Sequence, residues 1–140
     1  MGVWDEVSPD TWRSQGVLMI IGIDLSGPSN SAETALVAFE PAGADRLARC
    51  RRLIGADDAE ILACVNGLHA PGSLVVGLDA PLSYQMGGGD RPADTHLREH
   101  AIAAGLKPGS VMPPTLTRMA YLTLRGISVA RLLLDADDNM

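Results

Sequence analysis

Two short apolar runs, "GVLMIIGID" ending at Asp24 and "SLVVGLD" ending at Asp79, constrain the fold more than anything else in the chain. Each is apolar and β-branched, closes on an aspartate and passes at once into turn residues, "LSGPSNS" after the first and "APLS" after the second. Val17 to Leu25 and the run around Asp79 read as buried strands, short apolar stretches closed by turn signals. A carboxylate in such a place is costly to bury unpaired. Each aspartate therefore needs a cation, a buried partner, or exposure at the strand's end.

The segments between them set the order of elements. Thr34 to Phe39 alternates weakly and reads as a second strand, and after the turn "PAGAD" Arg46 to Leu53 reads as a polar, edge-like third. Strands this close in sequence form antiparallel hairpins. Asp57-Asp58 opens a helix whose apolar residues are Ile61, Leu62, Val65 and Leu68, with acidic residues in the first turn, where the dipole favours them, and Gly67 near its end. A strand reached through a helix lies parallel to its sheet neighbour, by a right-handed crossover. After the loop "GGGD", Pro92 begins a second helix over "PADTHLREHAIAA", and Gly105 falls just past its end. Pro113 and Pro114 bar helix in "KPGSVMPP", so the last helix is expected over Leu116 to Leu134, capped by Thr115 or Thr117, most naturally Thr115, and broken near Gly126. The order is β-β-β-α-β-α-α. If the two Asp-closed strands lie side by side, Asp24 and Asp79 meet.

Length and composition bound the rest. A chain of 140 residues fits one domain, here residues 17–140 behind an N-terminal arm (1–16) that carries Trp4 and Trp12. Hydrophobic residues make up 46% but aromatics only 4%, so the core is aliphatic. Cys50 and Cys64 match no disulfide framework or metal-ligand spacing, which fits a reducing, cytoplasmic setting. The longest apolar run is too short to span a bilayer and has no basic leader. The net charge of −6 argues against an indiscriminate nucleic-acid binder. It is uneven, however: residues 1–90 hold 5 basic and 12 acidic residues, residues 91–131 hold 6 and 2. The second region can face an anion. The end of the chain, Asp135, Asp137 and Asp138, is acidic.

At "GIDLSG", "GLDAPLS", "DRPADTHLRE" and "PGSVMPPTLTRM" the chain resembles the predicted nucleases catalogued as a domain of unknown function, DUF429, which are assigned to the ribonuclease H-like superfamily. The resemblance spans roughly Ile20 to Arg131. It implies an α/β fold with a mixed sheet, a β-β-β-α-β core whose first three strands are antiparallel and whose first and fourth are parallel, with flanking helices. It also implies metal-binding and catalytic carboxylates at Asp24 and Asp79, and an Arg-x-x-Asp-x-x-x-Arg pattern at Arg91, Asp94 and Arg98. Such proteins continue into a fifth strand with a further glutamate; here no Glu follows Glu99. The fifth strand is expected to be missing and activity to be weak or absent in this chain.

The chemistry that follows is hydrolysis of a phosphodiester, an RNA or DNA backbone, with Mg²⁺ or Mn²⁺ as the ion suited to oxygen ligands. Two carboxylates at adjacent strand ends repel unless a cation neutralises them. The alternative is that each is satisfied by turn N–H groups. Arg91, Asp94 and Arg98, at i, i+3 and i+7, share one helical face. They either grip phosphate, with Asp94 orienting an arginine, or form an ordinary surface pair between Asp94 and Arg98. Lys107, Arg118 and Arg125 read as solvated charges. Ser26 lies in "LSGPSNSA", which loosely resembles the phosphate-binding turn of actin and sugar-kinase relatives; its hydroxyl, like that of Ser29, is otherwise a turn former. "HLREH", His96 to His100, matches the pattern of inverted zinc peptidases but lacks a downstream third ligand. The contrasting expectation is a non-catalytic binding or assembly module. Without a fifth strand, Leu74 to Leu78 is an apolar edge, expected to be covered by a second copy in a homo-oligomer or by the C-terminal helix.

Overall fold

The computed structural model of the chain describes residues 19–43, 46–68 and 74–138. The N-terminal arm with Trp4 and Trp12, and the loop residue His69, lie outside them. The elements are β1 (Met19–Asp24), β2 (Ala35–Pro41), β3 (Leu47–Ile54), α1 (Asp58–Leu68), β4 (Leu74–Asp79), α2 (Pro92–Ala103) and α3 (Thr117–Asp138). Two short 3-10 segments, Pro28–Glu33 and Pro108–Ser110, occupy loops read as irregular from the sequence.

The expected mixed α/β sheet is present. Its order is β3-β2-β1-β4. β1 pairs antiparallel with β2 and β2 with β3, while β1 and β4 run parallel. β4 and β3 are the edges among the described residues.

Register divides the side chains of the first three strands between two faces, because directly opposed residues point the same way. Ile21 and Ile23 of β1 lie opposite Ala38 and Leu36 of β2. All four are buried, at 0–2% exposure. The other face carries Ile20, Gly22 and Asp24 opposite Phe39, Val37 and Ala35, and none of these is buried. Burying every second residue of a strand leaves one face in the core and one outside it.

A bulge changes this alternation in β3. Ala38 faces Arg51 but Phe39 faces Arg49, so Cys50 has no partner in the ladder. Its thiol donates to the Ala38 carbonyl, 3.4 Å away. Neither cysteine is in a disulfide.

The chain divides into two compact units. One joins β1, up to Asp24, with Ala32–Leu78; the other joins Leu25–Ser31 with everything from Asp79 onward. In the first unit α1 begins with a reciprocal cap. The Glu60 N–H donates to Asp57 Oδ1 (2.8 Å) and the Asp57 N–H to Glu60 Oε2 (2.9 Å). Ile61 and Val65, one turn apart, are its buried stripe.

In the second unit α2 starts at Pro92, as its sequence predicts, and ends on Gly105. There the Leu106 N–H reaches the Ala101 carbonyl and the Gly105 N–H that of Ile102, both at 2.9 Å. This pattern needs the left-handed φ of +86° that glycine adopts freely. The loop before α2 turns through Gly87, Gly88 and Gly89, whose φ angles are +88°, +85° and +82°.

α3 differs from expectation in two respects. It runs unbroken through Gly126, because the glycine makes room rather than a break: a Cβ there would lie 2.8 Å from Ala80 Cβ and 2.9 Å from the Pro81 carbonyl. Nor does Thr115 cap it. The helix begins two residues later, and Thr115 Oγ1 instead accepts the Gly89 N–H at 2.8 Å. The Thr123 hydroxyl donates back to Met119 and Pro114 carbonyls, each at 2.9 Å, which ties the Pro-Pro turn to the helix. No helix among the described residues is long and apolar enough to cross a membrane.

Candidate functional site

Asp24 is the last residue of β1 and Asp79 the last of β4. Both are exposed. β1 and β4 are parallel neighbours, and each aspartate closes the carboxyl end of its own strand. Each ends its strand because the next residues, Leu25-Ser26-Gly27 and Ala80-Pro81, turn the chain away; Pro81 also lacks the N–H a ladder needs.

The arginines are organised differently from the surface pair that the sequence suggests. Asp94 is buried at 5% exposure and pairs not with Arg98 but with Arg91. Arg91 Nε donates to Asp94 Oδ2 at 2.8 Å and Nη2 to Oδ1 at 2.6 Å, a two-pronged geometry only guanidinium offers. The Arg91 backbone N–H also donates to Oδ2 (2.9 Å), so Asp94 fixes both the start of α2 and the arginine beside it. The remaining Nη1 reaches the Ser83 hydroxyl at 3.2 Å and its carbonyl at 3.4 Å.

Arg98 turns to Asp90. Nη1 and Nη2 bind the two carboxylate oxygens, the second at 2.6 Å, and Nη2 and Nε also donate to the Val111 carbonyl at 3.0 and 3.2 Å. Asp90 carries no helical signal in the sequence because it lies in the loop before α2 and not on the helix that bears Arg98. Its position directly after three glycines, where the chain can fold back, is the signal that was available. The charge-assisted bonds from Arg91 hold the Asp94 carboxyl below the usual aspartate range, and those from Arg98 do the same for Asp90. Both arginines are held still more firmly protonated by the same contacts.

Arg125 is a correction. Expected as a solvated charge, it is 6% exposed. Its Nη1 donates to the Ser26 carbonyl at 2.8 Å and lies 3.4 Å from the Ser26 hydroxyl. Ser26 Oγ donates to the Asn30 carbonyl at 2.7 Å, closing the 3-10 turn. The candidate phosphate turn is therefore held by its own backbone and by one buried guanidinium. Of the other two basic residues in that expectation, Lys107 and Arg118 are exposed.

His96 and His100 stand one turn apart on α2 with ring centroids 4.8 Å apart and planes tilted by 44°. Both are exposed. Among the described residues no three His, Cys, Asp or Glu side chains group where they could hold a metal ion. Compared with family models, curated proteins and solved structures, the chain matches none.

Proposed function

We propose that this chain is a metal-dependent phosphodiesterase of the ribonuclease H-like kind, related to the DUF429 predicted nucleases, with Asp24 and Asp79 as its metal-binding carboxylates. The observation that supports it most is the sheet itself: β1 and β4 are parallel neighbours, and each ends on an exposed aspartate. Two carboxylates with access to water suit one Mg²⁺ or Mn²⁺ ion, which binds through one or two carboxylates and keeps several waters. Two carboxylates are enough for one such ion, whereas a two-metal site needs more. Such an ion supplies charge stabilisation to a phosphoryl oxygen.

The chain's own groups do the rest. Asp24 and Asp79 would hold the ion through their carboxylate oxygens. Arg91 keeps Nη1 directed at an exposed serine, so a phosphate oxygen can take the place of Ser83 without disturbing the two bonds to Asp94. Arg98, fully engaged with Asp90 and Val111, positions the loop before α2.

The test is calorimetric titration of Mg²⁺ and Mn²⁺ into the chain and into Asp24→Asn and Asp79→Asn. Binding by the parent chain that either substitution abolishes is the expected result. Binding that persists in both variants, or no binding by any of the three, overturns the metal site.

A second reading, a non-catalytic assembly module, is favoured by β4 at the sheet edge, where Leu74, Val75, Val76 and Leu78 are each only half-buried. Edge strands pair with other chains. A homodimer through this edge would appear as a doubled mass in light scattering, and Val76→Pro would return it to a monomer.

A further inference from the structure

The sheet face that holds Asp24 is open and bears two arginines. Along β2 it carries Ala35, Val37 and Phe39; along β1, Asp24, Gly22 and Ile20; along β3, Ile54, Arg52 and Arg49. None of the nine is buried, and five, Asp24, Gly22, Ile54, Arg52 and Arg49, are exposed. Strict alternation would have placed Cys50 on this face with Arg52 and turned Arg49 to the other side. The bulge at Cys50 brings Arg49 opposite Phe39 and Arg52 opposite Val37, on the same side.

Arg91, Arg98 and Arg125 all have carboxylate or carbonyl partners. Among the described residues, none bonds to the side chain of Arg49 or Arg52. A chain with a net charge of −6 thus keeps two free guanidinium groups beside its only phenylalanine. The spacing is regular. Val37 and Phe39 are two residues apart, so the rows holding Arg52 and Arg49 are about 6.6 Å apart along the strand. Asp24, in the Ala35 row, is about 13 Å from Phe39. Between them Gly22 leaves the floor flat, with nothing within 4 Å of where a Cβ would project.

We infer that this face is a track for single-stranded nucleic acid. Arg49 and Arg52 neutralise successive phosphates, Phe39 stacks a base, and the strand leads along β1 towards Asp24. The combination of an aromatic platform with an unpaired basic row is what binds unpaired bases without reading their sequence. The complementary charge is that of a polyanion, and an open face lets unpaired bases reach Phe39, which the stacked bases of a duplex cannot do. The track rests on the phosphodiesterase reading only for what happens at Asp24; binding along it requires no metal.

The experiment is fluorescence anisotropy with labelled oligothymidylate and oligouridylate of about twelve nucleotides, a length within the usual footprint of such surfaces. It is run in EDTA, so that failure of the metal site leaves the result untouched. The parent chain is expected to bind both, and Arg49→Gln and Arg52→Gln each to weaken binding about tenfold. Together they should lower the slope of log affinity against log salt by about 1.4. Phe39→Leu, which keeps an apolar side chain at that position, should weaken binding without changing the slope. Asp24→Asn, which removes a negative charge from this face, should tighten it. No binding by the parent chain overturns the proposal. So does equal binding of a duplex of the same length, or indifference to both arginine substitutions in variants whose circular dichroism matches the parent. Light scattering supplies a further refutation: a dimer that the arginine substitutions dissociate would make a second copy the occupant of this face.

Discussion

Arg125, on α3, donates from Nη1 to the carbonyl oxygen of Ser26, 99 residues earlier, across 2.8 Å. A guanidinium at 6% exposure is an expensive group to place, and here it fixes the backbone of the turn that follows β1. Replacing it with methionine keeps an unbranched stem but leaves the Ser26 carbonyl without this donor. The expected cost is about 2 kcal/mol, read as a lowered urea midpoint with unchanged slope. Arg125→Lys should recover only part of it, since one ammonium cannot reproduce the planar fork.

Acid stability should depend on Asp90 and Asp94. Both carboxyls are held below the ordinary aspartate value by their arginines, so the unfolded chain binds protons more readily than the folded one. Their contribution is fully present above about pH 4, the ordinary aspartate value, and is lost as the pH falls through the depressed folded values. Urea midpoints between about pH 2 and pH 6 should fall steeply in the parent chain at the low end. In Asp94→Asn the curve should be lower throughout and flatter there. A variant curve parallel to the parent's would mean that Asp94 does not supply the acid dependence.

Two helical glycines should respond in opposite directions to the same change. Gly67→Ala has open space around it and gains about 0.5–1 kcal/mol through helix propensity and a less flexible unfolded chain. Gly126→Ala gains the same propensity but drives a methyl against Ala80 and the Pro81 carbonyl. Overpacking of about 1–3 kcal/mol outweighs it, so the thermal midpoint should drop. Equal shifts in the two variants would refute the close approach at Gly126.

The strand-end aspartates should be silent in stability. Asp24 and Asp79 are exposed, so Asp24→Asn and Asp79→Asn should unfold within about 0.5 kcal/mol of the parent in metal-free buffer. A thermal midpoint that rises on adding Mg²⁺ in the parent but not in the variants is the expected linkage signature.

Much of the fold was legible because it follows from short-range signals. Strand order came from hairpin spacing and one helical crossover, and the ends of α2 from Pro92 and Gly105. Asp24 and Asp79 stood out because a charge closing an apolar run needs a reason. What stayed hidden depends on how the chain folds back on itself. Arg98 chose Asp90 over Asp94 because Asp94 was already gripped by Arg91 through three hydrogen bonds. Arg125 reads as a surface charge until Ser26 is seen to accept from it. The pairing of Arg49 with Arg52 on one face is invisible to any rule of alternation, since it exists only through the bulge between Ala38 and Phe39.

The contact at Gly126 sets a tolerance as well as a stability. Ala80 follows Asp79 directly, and the fit between helix and segment is as thin as a hydrogen atom in place of a methyl group. Position 126 therefore works as a gauge block for the residue next door: thicken it by one carbon and Ala80 and Pro81 must give by tenths of an ångström. A carboxylate meant to share a ligand has little latitude for such displacement. On the proposed reading, sequence drift at a residue that touches no substrate would be felt first in the placement of the Asp79 carboxylate.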